Sequence, residues 1–251
     1  MNIIFCEDYE EMSRKAAAII ASKIILKPDS VIGFATGATP IGLYKELIKR
    51  YEKGEISFAD MRTFNLDEYL GEIKDLETSF YNFMQNNLFL HIDVKPENTD
   101  IPDGSAADIQ AECERYTEAL DLIPEGLDFQ ILGIGANGHI GFNEPDDYFP
   151  LDTHIVELTE ETIEGQKPFF DDYNKIPKRA VTMGIRAIMN AKQLLLIASG
   201  DGKSKILEKA LFGPVTPNIP ASILQIHRCL TVVADRAALS QIIEKHPDAI
   251  L

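Results

Sequence analysis

Along this chain short apolar runs alternate with longer stretches in which apolar residues return every three or four positions. The runs at residues 3–6, 31–35, 62–66, 129–133, 154–158, 194–199 and 230–234 predict strands. The stretches at 9–25, 40–53, 79–89, 106–119, 203–212 and 236–245 predict helices between them. Runs such as Leu194-Leu195-Leu196-Ile197-Ala198 barely alternate, as in strands whose two faces are both covered by helices. The expected architecture is α/β: an open, mostly parallel, Rossmann-like sheet with helices on both faces. No linker or repeat interrupts residues 1–251, so a single domain is expected; only 95–105 and 143–153 read as irregular. In such sheets ligands bind beyond the carboxyl ends of the strands, so the residues just after each strand are where chemistry is expected.

Charge narrows the partners. The 251 residues carry a formal charge of −16, which opposes binding to nucleic acid or to an anionic membrane. An anionic substrate would need cationic groups concentrated at its own site. Three cysteines (Cys6, Cys113, Cys229) without metal-like spacing read as free thiols of a reducing compartment. The N-terminus turns acidic at once, without the marks of a signal peptide, and no apolar run approaches the ~20 residues that span a membrane. A cytoplasmic protein is expected.

Two strand ends offer a Gly-containing turn before a helix. After 31–35 comes Thr36-Gly37-Ala38-Thr39-Pro40, with Thr39 as the expected N-cap and Pro40 in the first helical turn. Free backbone N–H groups and the helix dipole make such a turn an anion site, although an ordinary capped turn fits equally well. Without Gly-Lys-Ser/Thr it is no ATP-binding P-loop. After 194–199 comes Gly200-Asp201-Gly202-Lys203, whose lysine either reaches an anion or sits on the surface. Two such turns together favour a phosphate on the ligand. Strand 62–66 runs into Asp67 and Glu68, whose side chains should point to opposite faces. One of them is well placed as a general base, while a turn or helix cap is the simpler explanation.

The richest strand end reads ILGIGANGHIGFNEP, residues 131–145. Gly133-x-Gly135-x-x-Gly138 matches the dinucleotide fingerprint, with acidic Glu157 roughly the expected ~20 residues on. That fingerprint needs a helix running on past the motif, whereas Gly141 and Asn143-Glu144-Pro145 stop one after about a turn. The same residues suit catalysis better. Closely spaced glycines let backbone approach a ligand, and His139 with Glu144 nearby forms an acid/base pair. A histidine that merely caps the loop is the plainer alternative.

Together, residues 36–40, 64–71, 79–81, 132–145, 177–184, 200–203 and 220–227 resemble, in order and over nearly the whole chain, the glucosamine-6-phosphate deaminase (isomerase) family. GHIGFNEP is the specific element; the related 6-phosphogluconolactonases share the fold but continue differently after Gly-His. The resemblance implies an aldose–ketose isomerisation with loss of ammonia, giving fructose 6-phosphate, and no metal or organic cofactor. It implies that His139 opens the sugar ring and that Asp67 moves a proton from C2 to C1 through a cis-enolamine. Glu144 would orient His139, and the backbone of Thr36, Gly37, Ala38 and Thr39, with Lys203, would hold the phosphate.

This chain departs from the family at two points. Asn137 stands where many members have Asp, so His139 should lean more on Glu144. Pro168 stands where the family has a phosphate-binding Arg, so either Lys167 or Arg179 is expected to substitute or the phosphate is gripped differently. The basic residues that serve allosteric activation in some members align near His154 and Val156, which speaks against that regulation. The competing functions are deamination of the C4 epimer galactosamine 6-phosphate to tagatose 6-phosphate, lactone hydrolysis, and sugar-phosphate binding without catalysis. Members occur as monomers and as homo-oligomers, and a chain that stops at Leu251 soon after its last expected helix leans toward a monomer.

Overall fold

The computed structural model describes residues 1–71 and 77–250. Strand β1 (Asn2–Cys6) leads into helix α1 (Tyr9–Leu26), where the Asp8 side chain accepts from Glu11 N at 2.7 Å. Its buried residues, Met12 to Ile24, recur at three- and four-residue spacing, the stripe that seats a helix on a core. Then come β2 (Val31–Phe34), α2 (Ile41–Glu52) and β3 (Arg62–Asn65). A short β4 (Asp67–Tyr69) follows at once, and α3 (Phe80–Asn87) begins at the capping hydroxyl of Ser79. The two-residue β5 (Thr99–Asp100) precedes α4 (Ile109–Asp121) and β6 (Phe129–Leu132). The chain continues through β7 (His154–Glu157), α5 (Glu160–Gln166), β8 (Arg179–Thr182) and α6 (Ile185–Met189). It closes with β9 (Leu194–Ala198), α7 (Ser204–Phe212), β10 (Leu230–Asp235) and α8 (Ser240–Lys245).

Seven strands form one parallel sheet in the order β1-β10-β9-β6-β2-β3-β5, flanked by helices. The α/β class and the parallel sheet are as the apolar runs predict. Strands β2, β6 and β9 are buried at every position, so both faces of the sheet are covered there. Strand order reverses between β2 and β6: from this point β2, β3 and β5 proceed to one side, β6, β9 and β10 to the other. A reversal of this kind opens a crevice at the carboxyl ends of the strands.

Four expectations are corrected. The run at 154–158 does not join the main sheet. It is β7 of a second, antiparallel sheet, β4-β8-β7, and its half-exposed residues show why a fully covered site did not suit it. Three strands carry no long apolar run and escape the pattern, β4, β5 and β8. The last helix starts at Ser240 rather than 236, because Ala238 N and Leu239 N both turn back to Asp235, at 2.8 and 2.9 Å. The N-cap of α2 is Pro40, not Thr39, and no side chain of its own caps it. A tertiary contact replaces the local one: the Tyr9 hydroxyl from α1 accepts from Gly42 N at 2.8 Å and lies 3.1 Å from the carbonyls of Ala38 and Thr39.

Candidate active site

The crevice between β2 and β6 holds a cavity of about 260 Å³. Thr36, Gly37, Ala38, Thr39 and Pro40 line it from the end of β2, and Asp67 from the start of β4. Gly133, Gly135 and His139 line it from the end of β6, and Lys203 from the turn after β9. Residues more than 160 positions apart in sequence thus meet because four strand ends converge.

One part of this cavity suits an anion. The amides of Gly37, Ala38 and Thr39 have no hydrogen-bond partner among the described residues, and they precede the N-terminus of a twelve-residue helix. Lys203 is the only basic side chain, His139 aside, that lines the cavity among the described residues. Burial pushes its ammonium pKa down, and the charge of Glu161 opposes the shift. The expected substitutes for the missing arginine do not reach the cavity. Lys167 pairs with Glu164 at 2.5 Å and lies over the Tyr173 ring, while Arg179 pairs with Glu157 at 3.0 Å. Pro168 lies in a short turn at 167–169 that instead contributes Phe169 to the cavity wall.

Asp67 and Glu68 divide as strand geometry requires. Glu68 turns away, accepting from Tyr69 N and Phe80 N at 2.9 Å and from Tyr81 N at 2.8 Å, and so caps the start of α3. Asp67 faces the cavity at 4 % exposure. Burial, and then the charge of Glu68, hold its carboxyl pKa well above the usual carboxylate range. The Phe142 amide donates to Thr182 Oγ1 at 3.0 Å, and Thr182 is the cross-strand partner of Asp67 in the second sheet.

His139 is held at its backbone and at its ring. Its amide donates to Asn137 Oδ1 at 3.1 Å, while its ring Nδ1 stands 3.4 Å from Glu144 Oε2 and 3.2 Å from Thr162 Oγ1. Asn137 Nδ2 in turn donates to the same Glu144 oxygen at 2.5 Å. The neutral amide therefore links the histidine backbone to the carboxylate behind its ring. Thr159, the N-cap of α5, donates its hydroxyl to Glu144 Oε2 at 3.3 Å. Burial alone would push Glu144 up; the hydrogen bond and charge of His139, with Thr162 and Asn137, bring its carboxyl below the usual range. A carboxylate behind Nδ1 fixes the orientation of the His139 ring, whose other edge lines the cavity.

Sequence reading brings out Asp67, His139, Glu144, Asn137, Thr36–Thr39 and Lys203, and the fold gathers all of them at one crevice. It misses Thr159 and Thr162 behind the histidine and Gln166 and Phe169 on the wall. A signal was present: Thr159 followed by Glu160 and Glu161 is a helix start, and α5 begins there. Among the described residues no cluster of three or more His, Cys, Asp or Glu side chains is arranged to hold a metal ion. No helix among them is long and apolar enough to cross a membrane.

A family model described as glucosamine-6-phosphate isomerases/6-phosphogluconolactonase matches residues 7–233. The chain is 55% identical over 233 residues to a glucosamine-6-phosphate deaminase of Lachnoclostridium phytofermentans, covering 93% of this chain and 98% of that one. A glucosamine-6-phosphate deaminase of Clostridium botulinum is 50% identical over 242 residues, 96% of this chain and 99% of its own. Among solved structures, a monomeric glucosamine-6-phosphate deaminase superposes with a TM-score of 0.93 at 44% identity, over 96% of this chain and 100% of that one.

Proposed function

The chain belongs to the glucosamine-6-phosphate isomerase/6-phosphogluconolactonase family, and within it we propose a glucosamine-6-phosphate deaminase. The observation that carries the proposal is the pairing of His139 with Glu144 in a cavity that also receives the buried carboxylate of Asp67. Deamination of a 2-amino sugar needs two proton-moving groups in different environments. His139 delivers a proton to the ring oxygen and opens the pyranose. Asp67 then removes the proton at C2, acidic only in the open chain, and returns it to C1. Water adds at C2 of the resulting imine and ammonia leaves, so fructose 6-phosphate and ammonia form in equal amounts.

Glu144 stays ionised and holds the ring of His139, with Asn137 donating to the carboxylate. The free amides of Gly37, Ala38 and Thr39, the Thr36 backbone and Lys203 take the phosphate, whose charge they meet locally against a net charge of −16. The raised pKa of Asp67 suits this role, since a base held above the ordinary carboxylate range takes a carbon-bound proton more readily. We read the whole chain as one domain acting as a monomer in the cytoplasm, with the likeness to a monomeric solved deaminase as support.

An ammonia-coupled assay with glucosamine 6-phosphate and galactosamine 6-phosphate tests this reading. Equal release of ammonia and fructose 6-phosphate, with kcat/KM favouring the gluco epimer, is the expected result. Preference for the galacto epimer would make tagatose 6-phosphate the product, and no ammonia from either would overturn the proposal.

A further inference from the structure

We propose that Asp235, a residue with no part in the chemistry above, is a positioning residue that sets Lys203 for the substrate phosphate. The inference rests on the proposed role of Lys203 as a phosphate ligand. Asp235 ends β10 next to the carboxyl end of β9, one residue past the paired Ala198 and Ala234, and is only 6 % exposed. A carboxylate so buried must find donors, and it finds them in the neighbouring turn. Ser199 Oγ donates to Asp235 Oδ2, and Gly200 N reaches both carboxylate oxygens at 3.1 and 3.0 Å. On its other side Ala238 N donates at 2.8 Å.

Gly200 has a φ of +88°, where a side chain would be strained, and it sends the chain into the turn 201–203. Lys203 N donates back to Gly200 O at 3.1 Å, so the lysine hangs from the residue that Asp235 grips. Beyond it, Ser204 Oγ lies 2.6 Å from Ser240 Oγ and accepts from Gln241 N at 3.0 Å. The turn is thus tied at its entry to the end of β10 and at its exit to the start of α8.

Asp235 acts through backbone rather than charge. Burial and Glu161 are what act on the Lys203 ammonium. A carboxylate paired directly with Lys203 would compete with the phosphate, whereas one that holds the turn leaves the ammonium free for it. Placement matters more here than in a site with two cations, because Lys203 is the only lysine or arginine lining the cavity among the described residues.

The test measures KM for glucosamine 6-phosphate, competitive inhibition by inorganic phosphate, kcat and Tm for Asp235→Asn, Lys203→Met and the double variant. Asparagine keeps the shape but replaces one acceptor oxygen by a donor that faces Gly200 N or Ser199 Oγ. Asp235→Asn should raise KM and the phosphate inhibition constant about tenfold, with a much smaller change in kcat. In the Lys203→Met background it should change them less than about twofold, since partners acting as a unit are not additive. Ser199→Ala, which keeps the carboxylate and removes one donor, should move the same constants by about threefold if Asp235→Asn fails to fold. Additive effects, or a fall in kcat and Tm with phosphate inhibition unchanged, would overturn the inference while leaving Lys203 in place. Phosphate inhibition unaffected by Lys203→Met would instead overturn the role of Lys203 and the inference with it.

Discussion

The imidazole of His139 occupies the space that a side chain on Gly135 would need. A Cβ at that position would stand 2.5 Å from ring Cδ2 and closer still to Cε1 and Nε2. The second glycine of the G-x-G pattern is therefore explained by the His139 ring packed against it. Gly135→Ala should displace the ring and lower kcat about 100-fold while the protein still folds. Steady-state kinetics beside a thermal melt would check this; near-normal kcat would mean the ring tolerates displacement.

Asp67 should trade stability for function. Burial raises its pKa in the folded protein above the unfolded value. Such a group contributes fully to folding below the ordinary carboxylate range, and that contribution is lost as pH rises through the raised value. At neutral pH the buried carboxylate is thus a cost that Asp67→Asn removes. The variant should lose C2-proton exchange into solvent, yet melt higher at pH 7 by about 2–4 °C for each kcal/mol relieved. The gain should vanish below about pH 4. An unchanged melting temperature at pH 7 would count against the buried, ionisable state.

The same shift places the acid side of the activity profile. A base works only when ionised. The fall of kcat/KM at low pH should therefore lie above the ordinary carboxylate range of about 4, and a pH–rate series with substrate ionisation accounted for would show it.

Asn137 donates to Glu144 at 2.5 Å, and a carboxylate in its place could not do so unless protonated. Asn137→Asp should raise the Glu144 pKa by setting a like charge beside it. Protonation of that pair then weakens the hold on His139, so the acid limb of kcat/KM should move to higher pH than in the parent. An identical profile would mean that the amide and the acid are interchangeable here.

Thr162 lies 3.2 Å from His139 Nδ1 and 3.1 Å from the Thr159 hydroxyl. Thr162→Val keeps the shape and removes the polar contact. It should lower kcat about five- to tenfold, roughly the worth of one hydrogen bond, with KM little changed. Thr162→Ser should restore most of the loss.

Much of this protein is written locally. Buried strands such as Leu194–Ala198 must be apolar along their length, so the α/β class shows in the order of residues. Pro145 and Gly141 forbid a long helix after Gly138, so the dinucleotide reading fails from sequence alone. Which carboxylate faces the cavity was decided elsewhere. Asp67 and Glu68 are chemically alike, and only the antiparallel pairing of Asp67 with Thr182 and the waiting amides of α3 sort them. The cap of α2 is likewise tertiary, since Tyr9, more than 30 residues away, supplies the hydroxyl that Thr39 was expected to give. Lys203, read alone, is an ordinary surface lysine. It becomes the cation of the cavity because β9 lies two strands from β2, and because the end of β10 holds its turn. Local rules set the period of burial and the places where helices stop, because those depend on neighbours in sequence. Roles that depend on which strand ends come together are fixed only when the sheet assembles.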